Sequence, residues 1–174
     1  MDWQSKTTVK KGNVGEKIVN DYLIKNGYIP YSPNAEGAHP FDRLCASKDK
    51  KTLFITEVKT KPARVYYPDT GIDIRHYNGY KYVHDKYNID VLLIFVDQDM
   101  GKVYGNHMRI LDIPRVIDYN GKRLAYPLVQ NNIIYFPLYA MVDIGFINNK
   151  ELELLNIYTT RNDGYTAIAK NKKP

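Results

Sequence analysis

Six apolar residues stand together at Val91-Leu92-Leu93-Ile94-Phe95-Val96. A strand with one wet face alternates polar and apolar residues, so a run without alternation needs cover on both sides. Asn88 lies before it and Asp97-Gln98-Asp99-Met100-Gly101 after it, which makes the run strand length rather than helix length. A strand buried on both faces requires layers above and below. In a chain of 174 residues, one α/β domain over residues 1–174 is the simplest organisation. The run is far shorter than the roughly 20 residues that cross a bilayer, so no membrane is expected.

Helical and extended signals surround that strand. Val14, Ile18, Tyr22 and Leu23 recur at helical spacing after Gly12, and Asn26-Gly27 closes the helix. Tyr28 to Tyr31 reads as a short strand and Ser32 to His39 as a loop. Phe41 to Ala46 and Leu53 to Thr60 read as two strands of a hairpin around the polar turn Ser47 to Lys51. Tyr66 to Asp73, with Pro68 and Gly71, reads as a loop. Asp73 caps a second helix with inner face Ile74, Tyr77, Tyr80, His84 and Tyr87, closed by Asn88. Asn120-Gly121 is a hairpin turn signal, Ile133 to Phe136 a strand stopped by Pro137, and Asn149 the cap of a short helix through Leu155. The expected division is a core at about 12–106 and a β-rich extension at about 107–174.

The chemistry concentrates in Pro40-Phe41-Asp42 and Ile55-Thr56-Glu57-Val58-Lys59. Residues two apart in a strand share a face, so Glu57 and Lys59 project together while Phe54, Thr56 and Val58 face the other way. A carboxylate and an ammonium in an apolar strand are costly to bury without partners. Asp42 lies on the paired strand and can sit beside Glu57. Two adjacent carboxylates repel, and a hard divalent cation relieves them. Mg²⁺ held this way keeps waters that a substrate phosphate can replace, which suits phosphodiester hydrolysis, with Lys59 orienting the attacking water. The tripeptide acid-x-Lys alone says little: the chain holds two, Asp49-Lys50-Lys51 in a polar turn and Glu57-Val58-Lys59 in an apolar strand. Glu16 has two readings. It is the third helical position of a capping box begun at Asn13, or a third carboxylate reaching toward the sheet.

The formal net charge of +6 and pI of about 9.2 favour a polyanionic partner, nucleic acid foremost. Cys45 is the single cysteine, so no intrachain disulfide forms, no CxxC zinc site exists, and a small buried role is expected. Met1 to Lys6 carries no apolar core of a signal peptide. A reducing, cytoplasmic setting is the expectation.

Together these residues resemble the PD-(D/E)XK nuclease superfamily, the restriction-endonuclease-like fold. Pro40-Phe41-Asp42 resembles the PD element with one inserted residue, and Glu57-Val58-Lys59 matches the (D/E)XK element. The helix from Gly12 to Gly27 with Glu16 inside resembles that of archaeal-type Holliday junction resolvases. Thr70 to Tyr77 resembles instead phage-like nuclease domains. The likeness covers roughly residues 12–97 and not the C-terminal third. It implies a central mixed β-sheet flanked by helices. It also implies Mg²⁺ (or Mn²⁺) held by Asp42, Glu57 and the Val58 carbonyl, with Glu16 as accessory ligand and Lys59 positioning the water. The implied activity is cleavage of DNA, duplex or branched, with a homodimer as one arrangement for cutting two strands.

Lys61, Arg64, Arg75 and Lys81 follow the site and could grip phosphates, or form a solvated basic face. Tyr66 and Tyr67, in a loop beside the site, are candidates for substrate contact, whereas Tyr77, Tyr80 and Tyr87 fit a core. His39, His76, His84 and His107 show no metal-ligand spacing on one element, although His39 is near Asp42. The Asp97 to Gly101 stretch lacks the later ligands of a calcium loop and reads as a turn. Two other functions fit parts of the chain: a non-catalytic nucleic-acid-binding module on the same fold, and an interaction protein using the aromatic region after Asp112.

Overall fold

The computed structural model of the chain describes residues 6–32 and 41–159. His39, Pro40, most of the loop before them and the basic tail Lys170 to Pro174 lie outside the described residues.

Helix α1 (Thr7–Lys25) begins ahead of Gly12, with Lys6 as its N-cap. Gly12 does not break it, because glycine within a helix costs only about 1 kcal/mol. Its buried positions Lys11, Gly15, Ile18, Val19 and Leu23 form the helical stripe. Gly27, at φ +83°, then turns the chain in the left-handed conformation that glycine adopts without strain.

Strands β1 (Ile29–Tyr31), β2 (Arg43–Ala46) and β3 (Leu53–Thr60) follow, with β2 antiparallel to both neighbours. The next segment corrects the sequence reading: Asp69–Asp73 is not loop but strand β4. It is recruited by a distant partner, and Gly71 permits the contact, since a Cβ there would meet the Ile134 carbonyl oxygen at 2.2 Å. Helix α2 (Ile74–Tyr87) starts where the Asp73 carboxylate accepts the Arg75 N–H, and ends at left-handed Asn88. Tyr77 and Tyr80 are buried, whereas Tyr87 is 57% exposed and so is not part of the inner face.

Strand β5 (Asp90–Asp97) contains the apolar run, lies parallel to β3 and is followed by antiparallel β6 (Lys102–His107) and the short helix α3 (Met108–Leu111). Strands β7 (Arg115–Tyr119) and β8 (Lys122–Tyr126) form a hairpin whose turn residues Asn120 and Gly121 both have positive φ, as the right-handed strand twist favours. Strands β9 (Leu128–Gln130), β10 (Ile133–Pro137) and β11 (Val142–Phe146) precede helix α4 (Asn149–Ile157). Asn148, not Asn149, is its cap, in a capping box with Glu151.

The main sheet runs β1-β2-β3-β5-β6-β11, and a second runs β4-β10-β9. The C-terminal third is therefore woven into the core: β11 extends the main sheet beside β6, and β10 holds β4. One core lies between the main sheet, α2 and β10, around Ile55, Tyr80, Leu93, Phe95 and Phe136. The other lies between the sheet, α1 and α4, around Val19, Val58, Ile94, Val96 and Leu155. Cys45 is buried there, its Sγ 3.7 Å from Thr56 Oγ1. Among the described residues no helix is long and apolar enough to cross a membrane.

Candidate active site

Strand alternation on β3 sorts the key side chains. Phe54 and Val58 pack toward α1, and Ile55 packs toward α2. Glu57 and Lys59 share the Ile55 face. The Lys59 ammonium pairs with Oε1 of Glu57. Glu57 is 3% exposed, and its Oε2 finds no hydrogen-bond partner among the described residues. The Tyr80 hydroxyl faces this carboxylate. Burial, then the Glu57 charge, pushes the Tyr80 phenol above its ordinary pKa and keeps it a proton donor.

Asp42 sits one residue ahead of β2. Extending the Arg43–Thr56 pair by one step puts Asp42 across from Glu57. Its Oδ2 accepts the Val58 N–H at 2.6 Å. Burial first, then Glu57 and Glu16, pushes the Asp42 pKa up to about 7, against the opposing Val58 N–H and Lys59. Strand β2 pairs only with Leu53 to Thr56, so the β3 edge beyond Thr56 is open to Asp42. A strand residue points its N–H and C=O to one side, so the Val58 carbonyl lies on the Asp42 edge as well.

Glu16 is deep inside α1, so the capping-box reading is ruled out. Its Oε2 is 3.5 Å from Nη1 of Arg43, while Arg43 Nε donates to Asn20 Oδ1 at 3.2 Å. Gly15 sets this approach: a Cβ there would sit 1.8 Å from Thr60 Oγ1. The helix thus rests against the end of β3 and delivers the Glu16 charge to Asp42.

Among the described residues no three His, Cys, Asp or Glu side chains gather into a ready metal-ligand cluster. Two features nevertheless fit a hard cation. One is the unpartnered Oε2 of Glu57; the other is the charge that Glu57 and Glu16 impose on Asp42. The donors are oxygens, which suits Mg²⁺ or Mn²⁺.

The basic residues divide. Lys61 donates to the Gly71 carbonyl at 2.8 Å, and burial, then Lys59 and Arg64, lowers its pKa. Arg64 is not an open phosphate grip. Its fork holds both oxygens of buried Asp69, each at 2.5 Å, and its plane contacts the rings of Tyr67 at 4.3 Å and Tyr135 at 3.7 Å. Arg75 is exposed near Asp73, and Lys81 pairs with Asp85 at 3.6 Å. Tyr66 is 68% exposed, and Tyr67 is half-buried.

Sequence reading missed Arg43 and the Asp69 hub. Arg43 was signalled by alternation: following Asp42, it must face α1. Asp69 had no local signal, because its partners Arg64 and Tyr126 come from different elements. The turn begins at Gln98, whereas Asp97 is the fully buried last residue of β5. Its Oδ1 accepts the N–H groups of Asp99 and Met100, each at 3.0 Å, and its Oδ2 accepts the Ala63 N–H at 2.8 Å and the Tyr104 hydroxyl at 3.0 Å. His107 Nδ1 lies 2.9 Å from Asp90 Oδ2, His84 contacts the Ile89 carbonyl, and His76 lies against the Tyr80 ring.

No family model matches the chain, and no curated protein does. A solved structure does: that of Hjc from Archaeoglobus fulgidus, a Holliday junction resolvase from an archaeal hyperthermophile. The match has a TM-score of 0.52 at 10% identity, over 76% of this chain and 96% of that one. At such identity the likeness is one of fold, and the chain has the mixed central sheet with flanking helices of a restriction-endonuclease-like fold.

Proposed function

We propose that this chain is a metal-dependent nuclease that hydrolyses phosphodiester bonds of DNA. The observation that carries this is the pairing of Asp42 with Glu57, with Lys59 on the face of Glu57. Asp42, Glu57 and the Val58 carbonyl would hold Mg²⁺ or Mn²⁺, with Glu16 reaching it as an accessory ligand. When bound, such an ion polarises the phosphoryl oxygen and lowers the pKa of the attacking water. Lys59 would leave Glu57 and turn its ammonium to the water and the charge building on phosphorus. Tyr80 would hold Glu57 in place. Exposed Arg75 and Lys81, with Lys61 nearer the strand, would position the DNA backbone. A homodimer would set two such sites on the two strands of a duplex or branched substrate.

The test is cleavage of supercoiled, linear, single-stranded and four-way-branched DNA, and of RNA, in EDTA, Mg²⁺ and Mn²⁺. Metal-dependent cutting that Lys59→Ala loses is the expected result. One observation favours a second reading, a non-catalytic binding module: Lys59 closes the Glu57 carboxylate. That reading requires salt-sensitive DNA binding that survives Asp42→Ala and Glu57→Ala, with no cutting by any form.

A further inference from the structure

Residues Lys61 to Pro68 leave the end of β3 that carries Lys59, and Asp69 holds them in shape. The Arg64 N–H donates to the Asp69 carbonyl at 2.9 Å, and the Arg64 fork grips the Asp69 carboxylate. The same carboxylate accepts the Tyr126 hydroxyl at 2.6 Å. Tyr126 is the last residue of β8, so Asp69 ties the β7–β8 hairpin to the loop. The hairpin turn pairs Tyr119 with Lys122 across its tip.

Between loop and tip lies a cleft of about 390 Å³, lined by Tyr66, Tyr67, Tyr119, Asn120 and Lys122. That size is in the range of small-ligand sites, roughly 300–1,000 Å³. Three rings, one amide and one ammonium line it, and among the described residues none of its walls is a carboxylate. Rings stack on any nucleobase, an amide pairs with a base edge, and an ammonium meets a phosphate. Tyr67 is held against Arg64, so little of its freedom is left to lose on binding.

We propose that this cleft is a stacking subsite for one unpaired nucleotide, and that the substrate is DNA with single-stranded or splayed bases near the cut. The inference rests on the nuclease reading and narrows its substrate. A stacked base needs a ring face freed from its neighbours, which an intact duplex does not offer.

The test is binding in EDTA by fluorescence anisotropy, comparing a labelled oligothymidine with an abasic strand of the same length. The full chain is expected to bind the base-bearing strand at least about fivefold tighter. Tyr119→Ala is expected to erase that preference and Tyr119→Phe to keep it. Tyr66→Ala, on an exposed side chain, gives an independent variant that does not disturb folding. Equal binding of both strands by the wild type would overturn the subsite while leaving the nuclease reading intact. So would a preference untouched by both alanine variants. No binding of any strand, duplex included, would overturn both.

Discussion

Asp42 and Glu57 lie side by side at the end of the β2–β3 ladder, and burial, with the charge of Glu57 added, favours a proton on Asp42. Asp42 is raised from 3.8 to about 7, so between those values the folded chain binds more protons than the unfolded one. Stability from this group is therefore full at low pH and declines as pH rises from about 4 to about 7. Thermal unfolding in EDTA should show that decline, and Asp42→Asn should remove it, since an amide oxygen still accepts the Val58 N–H. Mg²⁺ at pH 8 should raise the wild-type midpoint by roughly 5 °C and leave that of Asp42→Asn unmoved.

Lys59 neutralises a carboxylate that is almost wholly buried. Lys59→Ala leaves it without that partner and should cost about 3 kcal/mol in EDTA. Glu57→Gln in the same background should recover most of it, which urea unfolding of the single and double variants would measure. Cleavage by Lys59→Ala should fall at least about 100-fold.

Gly15→Ala should destabilise the fold although alanine favours helix. The helical gain is about 1 kcal/mol, whereas the new Cβ would stand 1.8 Å from Thr60 Oγ1. A net loss of about 2 kcal/mol is expected, with partial recovery in Gly15→Ala/Thr60→Ala. The comparison of urea midpoints would fail this account if Gly15→Ala alone were neutral.

Asp69 is fully buried and holds Arg64 and Tyr126. Asp69→Ala leaves Arg64 unpaired and should cost about 3–5 kcal/mol. Arg64→Lys should cost less, about 2 kcal/mol, because an ammonium keeps the charge but loses the fork. Hydrogen exchange should locate the added opening in the β7–β8 hairpin as well as in the loop, since Asp69 ties the two.

Much of this protein was legible in short range. The apolar run of β5, the polar turn between β2 and β3 and the Asn120-Gly121 turn are each dictated by neighbours in the chain. So is the shared face of Glu57 and Lys59, which needs only the two-residue period of a strand. Asp73 and Asn88 bound α2 by local hydrogen bonding and left-handed geometry.

What only tertiary structure decided are the pairings between distant residues. Strand β4 reads as a loop because its ladder partner, β10, lies some sixty residues on. Glu16 reads equally as a cap until α1 is seen to begin at Thr7 and to rest its Gly15 on Thr60. Arg64 reads as a free cation until Asp69 and two tyrosines close around it. The sequence by itself determined which side chains share a strand face, because the backbone period is fixed covalently. Which carboxylate meets which cation was set by packing, because Coulomb and hydrogen-bond partners are chosen by proximity in space.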